Sequence, residues 1–151
     1  MLLAPLLSPI RATHPRLTLP ASAVLEAILL TEGPIGSAQS VAHALGLTNR
    51  FRLARLLNQQ GLPPLHRLAE WATVLSWLVT AERNHVSLCW IAFRSRRHPS
   101  ACYRLVKQVT GHRWEDVREK GSAWAISEFL KELRSGGQVV ASANRRPLKM
   151  S

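Results

Sequence analysis

The sequence is poor in the residues from which enzymes, metal sites and secreted domains are built. It has one aspartate, Asp116, one tyrosine and only two cysteines, Cys89 and Cys102. Two cysteines make no disulfide framework for 151 residues, and they lack the clustering of a zinc site. Both are expected to be reduced core residues of a cytoplasmic protein. The six histidines (14, 43, 66, 85, 98, 112) are scattered, and no carboxylate pair stands near one at a telling spacing. No phosphate-binding loop of Walker or Rossmann type occurs. No enzymatic activity, metal or cofactor is therefore expected. Long apolar runs are also missing: Pro, Arg, Glu, Ser or His breaks every stretch before the roughly 18 to 20 residues a bilayer span needs. Met1 to Ile10 is apolar but lacks a basic start and contains Pro5 and Pro9, so a signal peptide is not expected.

Acidic residues are scarce too, 9 against 20 Lys plus Arg, for a net charge of +11. The apolar fraction, 46%, is too high for a disordered chain and sufficient for a real core. A basic globular protein of this kind points to a polyanionic partner, first nucleic acid and second an anionic membrane surface.

Patterning along the chain is helical throughout, and the expected fold class is all-α. Residues 1–20, with prolines at 5, 9, 15 and 20, read as an irregular leader. Residues 21–31 form a first helix, ended by Gly33 and Pro34. Ser37 caps a second through Leu45, Gly46 permits a tight turn, and Thr48 caps a third over 49–60 that Gly61 closes. Pro63 and Pro64 precede a long helix over 64–82, with Leu65, Leu68, Trp71, Ala72, Leu75, Leu78 and Val79 as its apolar stripe. Trp71 reads as core, and Trp77, off that stripe, as packing against a neighbouring helix. Ser87 caps a short helix through Ala92, a polar stretch covers 94–98, and Pro99 opens a helix to Thr110 closed by Gly111. Two further helices, 114–120 and 122–134, precede a loose basic tail, 135–151.

A period near 50 residues runs through this pattern. Ser37 pairs with Ser87, Val41 with Ile91, Ala42 with Ala92 and Gly61 with Gly111; at a spacing of 49, Arg55 pairs with Arg104 and Leu56 with Leu105. Each unit reads as a helix–turn–helix, giving one subdomain over 21–82 and another over 83–134, joined by the helix 64–82. In each second helix the polar and apolar residues separate at 100° per residue. Arg52, Arg55, Asn58 and Gln59 oppose Leu53, Ala54, Leu56 and Leu57, with Phe51 a misfit in the polar arc. Ser100, Arg104, Lys107 and Gln108 oppose Cys102, Leu105, Val106 and Val109. Between Glu32 and Glu70, and between Glu82 and Glu115, there is no acidic residue. These windows carry Arg50, Arg52, Arg55, Arg67, Arg83, Arg94, Arg96, Arg97, Arg104, Lys107 and Arg113. A face that meets phosphate excludes carboxylates, whereas an ordinary solvated face mixes the signs.

With both units placed, residues 22–120 resemble the tandem helix–turn–helix DNA-binding region of the AraC/XylS transcription regulators. The second unit, Ile91-Ala92 then Pro99-Ser100, Tyr103, Arg104, Lys107 and Gly111, is similar to that family's pattern, as are Val41-Ala42, Leu45-Gly46-Leu47-Thr48, Leu53, Arg55, Leu57 and Gly61 in the first. The sequence departs from the family in lacking a Gly-Phe pair before the second recognition helix, where Arg96 and Arg97 stand, and in a turn one residue shorter. Only about 36 residues precede the first unit, too few for a sensing domain, so the resemblance is to short stand-alone regulators that bind as monomers.

The resemblance implies sequence-specific binding of double-stranded DNA through two recognition helices in successive major grooves. The helix 64–82, roughly 28 Å long, would space them for grooves about 34 Å apart. It also implies RNA polymerase as a second partner, no membrane partner and a nucleoid-associated, cytoplasmic location. Candidate contacts are Thr48, Asn49, Arg50, Arg52, Arg55 and Gln59 in the first unit, and Arg94, Arg96, Arg97, His98, Ser100, Arg104, Lys107 and Gln108 in the second. Arg pairs with guanine and Asn or Gln with adenine. Thr48 could also seat a phosphate at its helix N-terminus. Arg55 and Arg104 read equally as helix-face residues. Two other readings stay open: a degenerate helix–turn–helix acting as a protein-interaction module through the acidic segment 115–132, and a basic protein that binds nucleic acid or anionic membranes without specificity.

Overall fold

The computed structural model describes residues 2–31 and 37–135; within them every regular element is helical. A 3-10 turn over Ala4–Leu6 leads into α1 (Leu7–Thr13). Then come α2 (Leu19–Leu30), α3 (Ala38–Ala44), α4 (Arg50–Gln59) and α5 (Leu65–Asn84). α6 (Leu88–Arg94), α7 (Pro99–Thr110), α8 (Trp114–Lys120) and α9 (122–135) complete the chain. The fold class is all-α, and no described helix is long and apolar enough to cross a membrane. The expected stops at Gly33 and Pro34, and the tail beyond residue 135, lie outside the described residues.

The leader is not irregular. Its prolines are compatible with helix because Pro5 and Pro9 fall in the first turns of their segments, where the missing N–H would have no intrahelical acceptor. Leu3, Leu6 and Ile10 are buried in the core, and Pro20 sits in the first turn of α2, which Thr18 caps.

The pairs α3–α4 and α6–α7 share one turn geometry. Leu45 (φ −89°, ψ 3°) and Ser95 (φ −91°, ψ 2°) end their first helices alike. Gly46 and Arg96 follow with positive φ, +75° and +56°. The Leu47 N–H donates to Ala42 O at 2.9 Å, and the Arg97 N–H donates to Ala92 O, also at 2.9 Å. Gly46 and Arg96 donate to His43 O and Phe93 O, which completes the same Schellman arrangement in each. Ser37 and Ser87 cap the first helices through their hydroxyls at 3.1 Å. The second turn is one residue shorter: α4 follows its cap Asn49, and α7 follows its cap His98.

Two residue types thus occupy one left-handed position, with opposite consequences. A Cβ at Gly46 would meet no atom within 4 Å, so Gly46→Ala costs only the left-handed backbone, about 1 to 2 kcal/mol. Arg96→Gly removes that cost at the equivalent position. Part of the gain is offset by added unfolded-state entropy, so a stabilisation of up to about 1 kcal/mol is expected. Denaturant midpoints of the two variants should move in opposite directions.

α5 is the centre of the packing. Leu68, Trp71, Ala72, Val74, Leu75, Trp77, Leu78 and Ala81 are all buried. At 100° per residue they cover an arc of roughly 220°, much wider than the stripe legible in the sequence. α2, α6 and α7 all pack on α5. Trp71 meets Phe129 of α9 at 5.6 Å between ring centroids, and Trp77 is buried with the Arg97 guanidinium over its ring.

The contacts of α5 fix how α7 is held against it. Arg67, near the start of α5, donates to the Gln108 and Val109 carbonyls at the end of α7. Arg97, just before α7, stacks 5.5 Å from the Trp77 ring, nearly three turns further along α5. α7 therefore lies antiparallel along α5, and its last turn returns towards the end that α4 leads into. The wide apolar arc of α5 accommodates α7 beside α2 and α6.

Candidate nucleic-acid interface

The two second helices expose equivalent faces. Leu53 and Leu57 in α4 are buried, as are Cys102 and Val106 in α7, at a constant offset of 49. Their outward counterparts are exposed at the same offset: Arg55 and Arg104, Asn58 and Lys107, Gln59 and Gln108. Arg52 and Ser100 are exposed one turn nearer the helix starts. Among the described residues the ion pairs join Arg11 to Glu26, Arg67 to Glu132 and Lys131 to Glu128. None of the candidate arginines on α4, on α7 or in the second turn takes part in one.

Several expected roles change at the helix starts. Thr48 does not cap α4. Asn49 does, its Oδ1 accepting from Phe51 N at 3.0 Å and Arg52 N at 3.1 Å, because its two-bond side chain reaches both amides from the residue next to the helix. The Arg50 N–H donates to Gln39 Oε1 of α3 at 3.1 Å, pinning α4 to its partner helix. The amides of residues 50–52 are thus satisfied internally, and the phosphate seat expected beside Thr48 is already filled. α7 is alike: Pro99 has no N–H, and His98 Nδ1 accepts from Ser100 N at 3.2 Å. The Ser100 hydroxyl lies 2.7 Å from the same nitrogen, so Asn49 and His98 are engaged in capping and the Ser100 hydroxyl is engaged with its cap.

Arginine–aromatic stacking recurs on this surface. The Arg50 guanidinium sits 5.1 Å from the Phe51 ring centroid, and Arg94 sits 5.2 Å from that of Trp90. Phe51, Trp90 and Phe93 are exposed, Phe93 by 74%. Phe51 was visible as the misfit in its polar arc. Trp90 and Phe93, three residues apart on one helix, share a face, a signal the sequence carries in their spacing.

Arg67, half-buried, braces the packing of α7 and α9 on α5 and does not belong to the cationic face that its acid-free sequence window suggested. Its Nε and Nη2 donate to the two Glu132 oxygens at 2.7 and 2.8 Å, and its guanidinium also reaches the two α7 carbonyls. The hydrogen bond to Glu132 raises its pKa above the ordinary arginine value, against the opposing effect of burial.

Between α6 and α7, Cys89 Sγ lies 3.7 Å from the Tyr103 hydroxyl. That hydrogen bond, with burial, raises the tyrosine pKa above its usual 10.0. Burial also raises the Cys102 thiol, against the lowering influence of Arg97. Because Tyr103 is the only tyrosine, phenolate absorbance reports this side chain alone. Its midpoint should lie higher in the native protein than in denaturant. The contact's contribution to stability is full below the unfolded pKa, about 10, and is lost as pH rises through the native value. Coincident native and denatured titrations would contradict the contact. Among the described residues no group of histidine, cysteine or carboxylate side chains could hold a metal ion.

No family model, curated protein or solved structure matches this chain.

Proposed function

We propose that this chain is a sequence-specific double-stranded DNA-binding transcription regulator of the AraC/XylS kind, with two helix–turn–helix units (α3–α4 and α6–α7) arranged around α5. The observation that carries this reading is the duplicated turn and burial pattern, which puts Arg55 and Arg104 at equivalent exposed positions without carboxylate partners. A first helix that fixes the angle of a second, with a cationic outer face, is the arrangement by which such units enter a major groove. α7 packs along α5, so the separation of the two recognition helices depends on that packing as well as on the length of α5.

The regulator acts as a monomer on the chromosome, without cofactor or catalytic step. Selection of bound duplexes from a random library at fixed salt tests it. Enrichment of a bipartite motif is the expected result, and equal recovery of all duplexes would overturn the specificity.

A second reading, a protein-interaction module, is favoured by one feature: the exposed Trp90 and Phe93 of α6 beside Arg94. In a regulator this surface suits a contact with RNA polymerase. Capture of polymerase that disappears with Phe93→Ser, while duplex binding persists, would separate the two roles.

A further inference from the structure

The outward face of α4 carries one residue that can make no hydrogen bond through its side chain. Phe51 is 66% exposed and takes no part in the core. At 100° per residue, Arg55 points directly away from the midpoint of the buried Leu53 and Leu57, and Phe51 lies only about 40° from it. Phe51, Arg55 and Asn58, at i, i+4 and i+7, thus form one exposed row. The fold does not require a ring there: at the constant offset of 49 the equivalent residue of α7 is Ser100. Phe51 is also the second residue of α4, held at the helix start by its N–H bond to Asn49 Oδ1 at 3.0 Å. In a helix–turn–helix the N-terminal residues of the second helix are those that meet base edges.

A phenyl ring on that row offers a base edge apolar contact alone, and the apolar group that base pairs present in the major groove is the thymine C5-methyl. We propose that Phe51 is a specificity-determining residue that packs on a thymine methyl in the half-site met by α4. The assignment rests on the DNA-binding reading above and adds one base to it. Phe51 and Arg55 are about 6 Å apart along the helix axis, so the thymine lies within about two base pairs of the position Arg55 reads. The Arg50 guanidinium, 5.1 Å from the ring centroid, puts a cation beside the ring that suits the neighbouring phosphate. The second unit lacks this preference, because Ser100 stands at the equivalent position with its hydroxyl 2.7 Å from His98 Nδ1.

The test remakes the duplex selected from the random library with each thymine in turn replaced by deoxyuridine, which removes the methyl and keeps the pairing edge. One replacement, near the position that Arg55→Ala relaxes, should weaken binding by the full chain about fourfold, the worth of one buried methyl-sized group. Phe51→Ala should weaken the unmodified site by a similar factor and lose nothing further at that replacement. Phe51→Leu, which keeps an apolar tip, should still sense it. The denaturant midpoint of Phe51→Ala should match that of the unaltered protein, since the ring lies outside the core. If a variant fails to fold, the deoxyuridine scan on the unaltered protein decides. The assignment alone is overturned if Arg55→Ala relaxes the site but no thymine near it is sensitive. It is overturned equally if Phe51→Ala leaves the sensitivity intact or weakens every duplex alike. Equal recovery of all duplexes in the selection would overturn the assignment together with the DNA-binding specificity beneath it.

Discussion

Arg67→Ala is expected to lower the unfolding free energy by about 2 to 4 kcal/mol. Most surface arginines are worth far less, because water screens the pair and the long side chain pays entropy. Arg67 differs in geometry. It holds Glu132 with two parallel N–H···O bonds at 2.7 and 2.8 Å and caps the Gln108 and Val109 carbonyls at 3.2 and 3.0 Å. The side chains are only 29% and 20% exposed, and the Trp71 ring lies under the guanidinium at 5.8 Å. Alanine leaves a half-buried carboxylate and the end of α7 without their partners. Arg67→Lys should recover little, since one ammonium cannot span the carboxylate and two carbonyls in fixed directions. The double variant Arg67→Met with Glu132→Leu should be more stable than Arg67→Ala, because it leaves no uncompensated charge. Denaturant unfolding of the single and double variants checks both parts. A single-variant loss below about 0.5 kcal/mol would mean the network behaves as an ordinary surface pair.

Local rules made the helices legible. Ser37 and Ser87, each before an apolar periodic segment, do cap, and Gly46, Gly61 and Gly111 all adopt positive φ as their positions require. The duplicated period was also readable, including its slip from 50 to 49, which the shorter turn before His98 explains. Sequence and structure part where two local rules compete or where residues distant along the chain meet. Thr48 and Asn49 are both good caps, and the choice depends on which one lies next to the helical backbone. The prolines of the leader signal a break only if helix is assumed to extend to their N-terminal side. That Arg67 would leave its cationic window for Glu132, 65 positions away, is fixed by packing and has no trace in the pattern. The same is true of α7 lying back along α5. Trp77 and Val74 fall outside a narrow stripe, and only the assembled core shows that α5 is covered on more than one side.

For duplex recognition, Arg55→Ala and Arg104→Ala should each weaken the selected site by about 1 to 3 kcal/mol and relax the preference at one base position. From the sequence alone, each arginine could equally have been a structural residue of its helix face. Both are exposed, neither is in an ion pair among the described residues, and both stand over buried aliphatic or thiol side chains on the opposite face. Their removal should therefore change stability by no more than about 0.5 kcal/mol, which unfolding curves can verify. Lys107→Ala serves as the contrast. An ammonium is a point charge that suits a phosphate, so its loss should weaken all duplexes alike and reduce the salt slope by about one. Arg16, exposed in the turn before α2, is the control for bulk charge. If Arg16→Ala weakens binding as much as Arg55→Ala or Arg104→Ala, at every sequence and salt concentration, net charge explains the affinity and the two helices read nothing. If both helix variants lose affinity at the selected site alone, and the double variant falls to the non-specific level, the two faces act together on one operator.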